Sequence, residues 1–366
     1  MLHIYSGKEF DVSMQKVSVR NLRQGMTTYT QLRAADGRIL LGSKIELNER
    51  YISRIQELGI FSLSVTNPII ERLGLVYEET LSEEHKAKVT KNLKSAFDDI
   101  KKGELIDVYR ISALAKIIED TVRKNQIIRI NNCNTVEDYI YSHSVNVAAL
   151  VAVIASDMDY STLKIHELVM GALLHDVGKV FEGDNVKEHC QRGFDYVRKL
   201  RGLSVLSMHV ILDHHEKYDG TGYPRQLSGS EIPEYAKIAA IANAYDAMVS
   251  DPQREELLLP HQAYEALMSM SGTYFDREIT NIFLAKAPLY PVGTFVVLDS
   301  GHIGVITETL PKLQSRPSIM ILSDEHGVLT DNWQEINLAD NLTTFIMRVM
   351  SEEEVIELTN KYERKQ

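Results

Sequence analysis

Cysteine is nearly absent: two in 366 residues, Cys133 and Cys190, with no CxxC pair. That excludes a disulfide scaffold and a thiolate zinc site, and it fits a reducing compartment. Positive charge is also short, with 40 Lys and Arg against 51 Asp and Glu, a net charge of -11. A surface of that sign argues against nucleic-acid polymers, whose phosphates need a basic stripe. A small anionic ligand stays compatible if cations are concentrated locally, and a metal centre is the densest way to do so. The start MLHIYSGKEF lacks a basic region followed by an apolar run, so no signal peptide is expected. No apolar stretch of about 18 residues stands out, so no membrane span and a cytoplasmic location are expected. Internal repeats and low-complexity segments are missing too. What remains is 44% hydrophobic and 25% charged residues, an ordinary globular composition long enough for two or three units.

The chain divides by the period of its apolar residues. Residues 14 to 67 carry short β-branched or alternating runs, KVSVR, TTYTQLRA and GRILLG, broken by Gly25 and Asp36-Gly37. A helix at about 48 to 58 and a closing strand FSLSV complete that unit, which reads as a regulatory or packing module. SEEHKAKVTKNLKSAFDDIKKG is most simply a solvated polar helix. From about 106 to 285 the pattern is helical. Helices are expected at 136 to 157, 162 to 177, 186 to 200, 204 to 217, 233 to 250 and 260 to 269. Thr135 and Asp138 resemble a capping box for the first of these. After Pro288 strands return in TFVVLD, IGVITET and SIMILSD, and a polar helix ends the chain. The expected fold class is mainly α: a helical central domain (131–287) reached through a helical connector (76–130). A small β-rich N-terminal domain (1–75) and a small β-rich C-terminal extension with a terminal helix (288–366) flank them.

Seven of the twelve histidines fall between positions 143 and 215. His143 sits on the apolar stripe of the 136 to 157 helix. His175-Asp176 ends the next helix, His189 lies in the following one, and His214-His215 closes another. A helical bundle that turns these inward makes one buried pocket. Any one of them alone would ordinarily be a core residue, but several buried imidazoles without partners would be costly. Neutral imidazole and carboxylate suit Fe, Mn and Zn, and a carboxylate between two cations can bridge them. Two such cations activate water and stabilise both oxygens of a phosphodiester displacement. Lys179, one helical turn beyond His175, would bring its charge to a phosphate oxygen. His166 and His209 lack paired motifs and read as structural. Cys190 neighbours His189, but adjacent helical side chains diverge by roughly 100°, so it reads as packing.

HDVGK (175–179) followed by HHEKYDGTGYP (214–224) resembles the HD-GYP family of bacterial cyclic di-GMP phosphodiesterases. HSVNV, HCQRG and IANAYDAMVSD are similar to its remaining motifs, in the family's order, over roughly 130 to 285. The resemblance implies an all-helical domain whose two- or three-metal centre, often iron, hydrolyses cyclic di-GMP to pGpG or GMP by metal-activated water. It further implies His143, His175, Asp176, His189, His214 and His215 as ligands, with Asp176 bridging. Lys179 would polarise the scissile phosphate, Tyr223 would line the substrate pocket, and Asp219 would fix the Gly220-Thr221-Gly222 turn.

Four departures stand out. Asn243 replaces a metal-binding Asp, which keeps an oxygen donor but removes a charge, so metal affinity should fall. Tyr139 stands where three-metal members place Glu, so two divalent ions, Fe or Mn, are expected. The loop between Asp176 and His189 is short, which would leave the pocket more open. Asp251-Pro252-Gln253-Arg254 keeps only Arg254 of two substrate-contacting arginines. Two other readings follow: a degenerate module that binds cyclic di-GMP or a partner such as a diguanylate cyclase (GGDEF) protein without turnover, or an HD hydrolase of another cyclic dinucleotide such as cyclic GMP-AMP. A homodimer through the 82 to 103 helix is a further expectation.

Overall fold

The computed structural model describes residues 14–34, 36–75, 80–123, 128, 138–181, 185–254, 257–310 and 313–366. Thr135 and Cys133 therefore lie outside the described residues. In the N-terminal unit β1 (Met14–Ser18), β2 (Leu32–Arg33) and β3 (Ile39–Leu41) precede α1 (Glu49–Glu57) and β4 (Ser62–Thr66). β1 pairs antiparallel with β4, and β2 with β3. Asn48 caps α1 by accepting from the Tyr51 N–H, and Ile55 on its inner face joins Val17, Leu32, Leu47 and Leu63 in a small core. A short helix follows, α2 (Pro68–Leu73), with Asn67 capping the Ile69 and Ile70 N–H groups and Pro68 in its first turn.

The centre is a helical bundle: α3 (Glu83–Lys101), α4 (Val108–Val122), α5 (Tyr139–Ser156), α6 (Thr162–Leu174), α7 (His189–Val197), α8 (Val205–Asp213), α9 (Glu234–Ser250), α10 (Pro260–Ser269) and α11 (Arg277–Lys286). α3 corrects the expectation of a solvated helix. Its Val89, Leu93, Ala96, Phe97 and Ile100 enter the main core, so its charges occupy one face only. Any second copy meeting α3 would meet that polar face. α5 corrects the expectation about apolar runs: its 18 residues are long and apolar enough to cross a membrane, yet 83% of that span is buried inside the protein. It is the central core helix, packed against α3, α4, α6, α9 and α11. Asp138 makes no cap to α5; its carboxylate takes Lys94 Nζ at 2.7 Å instead.

The C-terminal unit is a five-stranded antiparallel sheet. Its strands are β5 (Phe295–Leu298), β6 (Ile303–Glu308), β7 (Ser318–Ser323), β8 (Leu329–Asn337) and β9 (Ile346–Val349), in the order β8-β7-β6-β5-β9. α12 (Glu352–Lys365) follows, opened by a capping box between Ser351 and Glu354. α12 is not merely polar. Val355, Leu358 and Tyr362 share a core with Phe295 and Val305 of the sheet and with Ile69 and Ile70 of α2. The two ends of the chain therefore meet. Asn67 donates to Thr359 Oγ1 at 3.1 Å, Ser18 N–H to Glu352 at 2.5 Å and Asn21 to Glu353 at 2.7 Å. The Arg72 guanidinium lies 4.1 Å from the Trp333 ring centre.

Candidate metal centre

Four helix segments converge on one point. His143 stands in α5, one turn before Asn146. His175 caps the end of α6, and Asp176 opens a 3₁₀ turn over Val177–Val180. That turn presses against the start of α7: a Cβ on Gly178 would lie 1.8 Å from the His189 carbonyl oxygen. Gly193 is tight to a lesser degree: its Cβ would lie 2.8 Å from Ile211 Cγ2 and 3.2 Å from the Gly178 N. Only hydrogen at these positions lets His189 sit over Asp176. His214 caps the end of α8, and His215 follows it. His143, His175, Asp176, His189 and His214 are all buried.

Backbone carbonyls set the imidazoles. His175 Nδ1 lies 2.7 Å from Ala172 O, and His214 Nδ1 lies 3.1 Å from Val210 O and Ile211 O. Each Nδ1 must then carry the proton, which leaves Nε2 as a lone pair facing inward. The Nε2 atoms of the cluster lie close together. His175 Nε2 is 3.3 Å from His143 Nε2, and His214 Nε2 is 3.3 Å from His189 Nε2. The Asp176 carboxylate lies between the two pairs. Oδ2 is 3.4 Å from His175 Nε2, while Oδ1 is 3.3 Å from His189 Nε2 and 3.8 Å from His214 Nε2. Asp176 Oδ1 is buried and has no hydrogen-bond partner. Clustered imidazole nitrogens around a buried carboxylate oxygen without a hydrogen-bond partner suit a cation. This donor set could hold a metal.

Electrostatics point the same way. Burial drives His214 well below its ordinary pKa, His175 below it, and His215 down to about 3, so all three are neutral, as metal ligands must be. His143 goes up instead: burial opposes its charge, but the hydrogen bond and charge of Asp246 outweigh it. Burial would raise Asp176, yet Lys179 and His175 hold it well below the carboxylate range. Lys179 does reach the pocket, though not as a continued helix. α6 ends at Leu174, and the tighter 3₁₀ turn brings Lys179 Nζ to 2.7 Å from Asp176 Oδ2.

Several partners escaped the sequence reading. Asp246 accepts from His143 Nδ1 at 2.6 Å, from Asn146 at 2.7 Å and from Ser250 at 2.8 Å. It orients the ring so that Nε2 faces Asn243 Oδ1 at 2.8 Å. Asp213 holds Arg225 through contacts of 3.0 and 2.6 Å, and Glu216 accepts from the Arg225 and Leu227 N–H groups. Together they tie the DGTGYP loop to the end of α8. Asp213 and Glu216 directly flank the His214-His215 pair, whose motif masks them in the sequence. Asp219 Oδ1 accepts from the Thr221 N–H at 2.9 Å and its hydroxyl at 2.7 Å, the turn expected of it. Gly222 has no room for a side chain, because a Cβ would lie 2.3 Å from Lys217 N. That fold lays Tyr223 on His215, with ring centres 4.7 Å apart.

Arg254 lies exposed past the end of α9, away from the histidines' immediate contacts. Cys190 is fully buried. Its Sγ is 3.5 Å from His189 Nε2, because His189 begins α7 and its imidazole lies back across the first turn. Burial raises the pKa of this thiol.

Known proteins resemble parts of this chain. Residues 123–279 match the HD domain model, and residues 295–358 match the KOW domain associated with HD domain. The chain is 31% identical over 231 residues to a cyclic di-GMP phosphodiesterase of Pseudomonas aeruginosa, covering 58% of this chain and 56% of that one. It is 31% identical over 127 residues to a 3′3′-cGAMP-specific phosphodiesterase of Vibrio cholerae, covering 30% of this chain and 24% of that one. The chain thus spans about half the length, or less, of these relatives. A solved HD-GYP protein from Bdellovibrio bacteriovorus aligns at TM-score 0.44 and 16% identity, over 74% of this chain and 98% of that one. The fold and the histidine–aspartate cluster define the centre of the chain as an HD domain. Its HDVGK and HHEKYDGTGYP motifs resemble those of the HD-GYP family.

Proposed function

We propose that the protein is a metal-dependent phosphodiesterase that hydrolyses cyclic di-GMP to pGpG or GMP. The observation that carries this reading is the Asp176 carboxylate between two pairs of inward-facing imidazoles, with one oxygen unsatisfied. Relatives named as cyclic di-GMP phosphodiesterases supply the substrate class. His143, His175, Asp176, His189, His214, His215 and Asn243 would hold two divalent ions, Fe or Mn, with Asp176 between them. Bound ions would supply Lewis acidity and activate water. The chain's own groups do the rest. Lys179 brings positive charge to the scissile phosphate, Tyr223 on His215 forms a wall for the substrate, and Arg254, exposed past the end of α9, would contact only an outlying part of the nucleotide. Water adds to phosphorus and the 3′-oxygen leaves. Protein loaded anaerobically with Fe or Mn should convert cyclic di-GMP to linear product, read by chromatography; no product with any metal or redox state would overturn the catalytic reading.

Asn243 favours a second reading, a module that binds the nucleotide or a diguanylate cyclase without turnover. Its amide oxygen meets His143 at 2.8 Å but lacks the charge of a carboxylate. Asn243→Asp should raise metal affinity by about tenfold or more, within the range for changes around a metal ligand. Equal metal content in the two proteins would count against Asn243 as the weak point. A panel including cyclic GMP-AMP separates the nucleotide alternatives. Light scattering tests a homodimer.

A further inference from the structure

The potential ligand atoms of His189, Cys190, His214 and His215 all lie within 4.8 Å of one another. The motif resemblance accounts for the three imidazoles but not for the sulfur. Cys190 is fully buried, and its Sγ approaches His189 Nε2 to 3.5 Å. A second observation points into the same space. Asp176 Oδ1, on a side chain 1% exposed, has no hydrogen-bond partner and lies 3.3 Å from His189 Nε2. An unsatisfied carboxylate oxygen, the imidazoles of His189 and His214 and a sulfur thus face one small buried space.

We propose that Cys190 Sγ is a ligand of the cation held by His189, His214 and His215. The two halves of the centre then differ in kind. His143, His175 and Asp176 offer imidazole and carboxylate, while the second half offers imidazole and thiolate. The absence of a CxxC pair does not bear on a single thiolate among histidines. On coordination the S–H bond breaks, its electron pair goes to the metal and the proton leaves to solvent, with no change in oxidation state. Thiolate is a soft ligand, so this half prefers zinc, ferrous iron or cobalt over manganese or magnesium. The inference rests on the metal-centre reading above and sharpens it.

Cobalt(II) is the probe, added anaerobically to the full-length chain. The wild type should bind it with a thiolate-to-cobalt charge-transfer band in the near ultraviolet. Cys190→Ser should still bind cobalt but lose that band, and its preference for zinc over manganese should fall by roughly tenfold or more. Cobalt bound without the band, or a band unchanged in Cys190→Ser, overturns the role of Cys190 and leaves the metal-centre reading intact. No binding of cobalt or zinc overturns both. Should Cys190→Ser fail to fold, X-ray absorption of the zinc-loaded wild type decides, since a ligated sulfur scatters at about 2.3 Å and its absence rejects the proposal.

Discussion

Asp246 faces no metal position, yet it decides what His143 can do. Its carboxylate takes the Nδ1 proton at 2.6 Å, which turns Nε2 toward Asn243 and His175. Removing that charge should loosen the ring and weaken it as a donor. Asp246→Asn should therefore lower metal affinity at pH 8 by roughly 10–100-fold, measured by equilibrium dialysis. The same residue sets the pH profile. His143 holds its proton above the ordinary histidine range, because Asp246 outweighs burial. A protonated ring cannot ligate, so wild-type affinity should rise with pH as that proton leaves. In Asp246→Asn, burial is left to dominate, and the rise should move to lower pH. A wild-type affinity flat between roughly pH 6 and 8 would contradict this account. The histidines themselves were legible in the sequence, as polar groups set in apolar helices. Asp246 and Asn146 were not assigned these contacts, because the two lie 100 positions apart and one looks like an ordinary helical Asp.

Between elements, the decisive contact is glycine on backbone. The 3₁₀ turn after α6 and the first turn of α7 touch at Gly178, where a Cβ would fall 1.8 Å from a carbonyl oxygen. No rotamer relieves that overlap, so one element must move. Gly178→Ala should cost about 3 kcal/mol or prevent folding, at or above the upper end of core overpacking. Thermal unfolding checks this: an unchanged midpoint would mean that the turn is loose. The helices carrying the histidines were readable from their period, with ends displaced by a residue or several. Elements whose signal is local and brief were not individually located. α2 spans six residues and depends on the Asn67-Pro68 start, while β9 has four residues, the middle two exposed and the outer two partly buried. α3 was located, but its charge density hid a buried face.

Across the whole molecule, the two ends are joined by contacts between residues about 290 to 330 positions apart, which no local pattern announces. We propose that the N-terminal unit and the C-terminal sheet act as one body against the helical centre. Glu352 lies at this junction, accepting from the Ser18 N–H. Burial is the largest influence on its carboxyl and raises its pKa above the ordinary value. The folded protein therefore binds this proton more tightly than the unfolded chain does. Such a group contributes its full stability below the unfolded carboxyl pKa of about 4.3 and loses it as pH rises through the folded value. At neutral pH the ionised Glu352 is a cost at the seam. Glu352→Gln keeps an oxygen for Ser18 and removes the charge. The variant should melt above the wild type at pH 7, and the difference should close as pH falls toward about 4.3. Calorimetry across that interval gives the sign directly. A variant that melts lower at pH 7 would mean that the carboxylate charge stabilises the junction, and that the two ends are held by electrostatic attraction rather than by the apolar core shared by α2, α12 and the sheet.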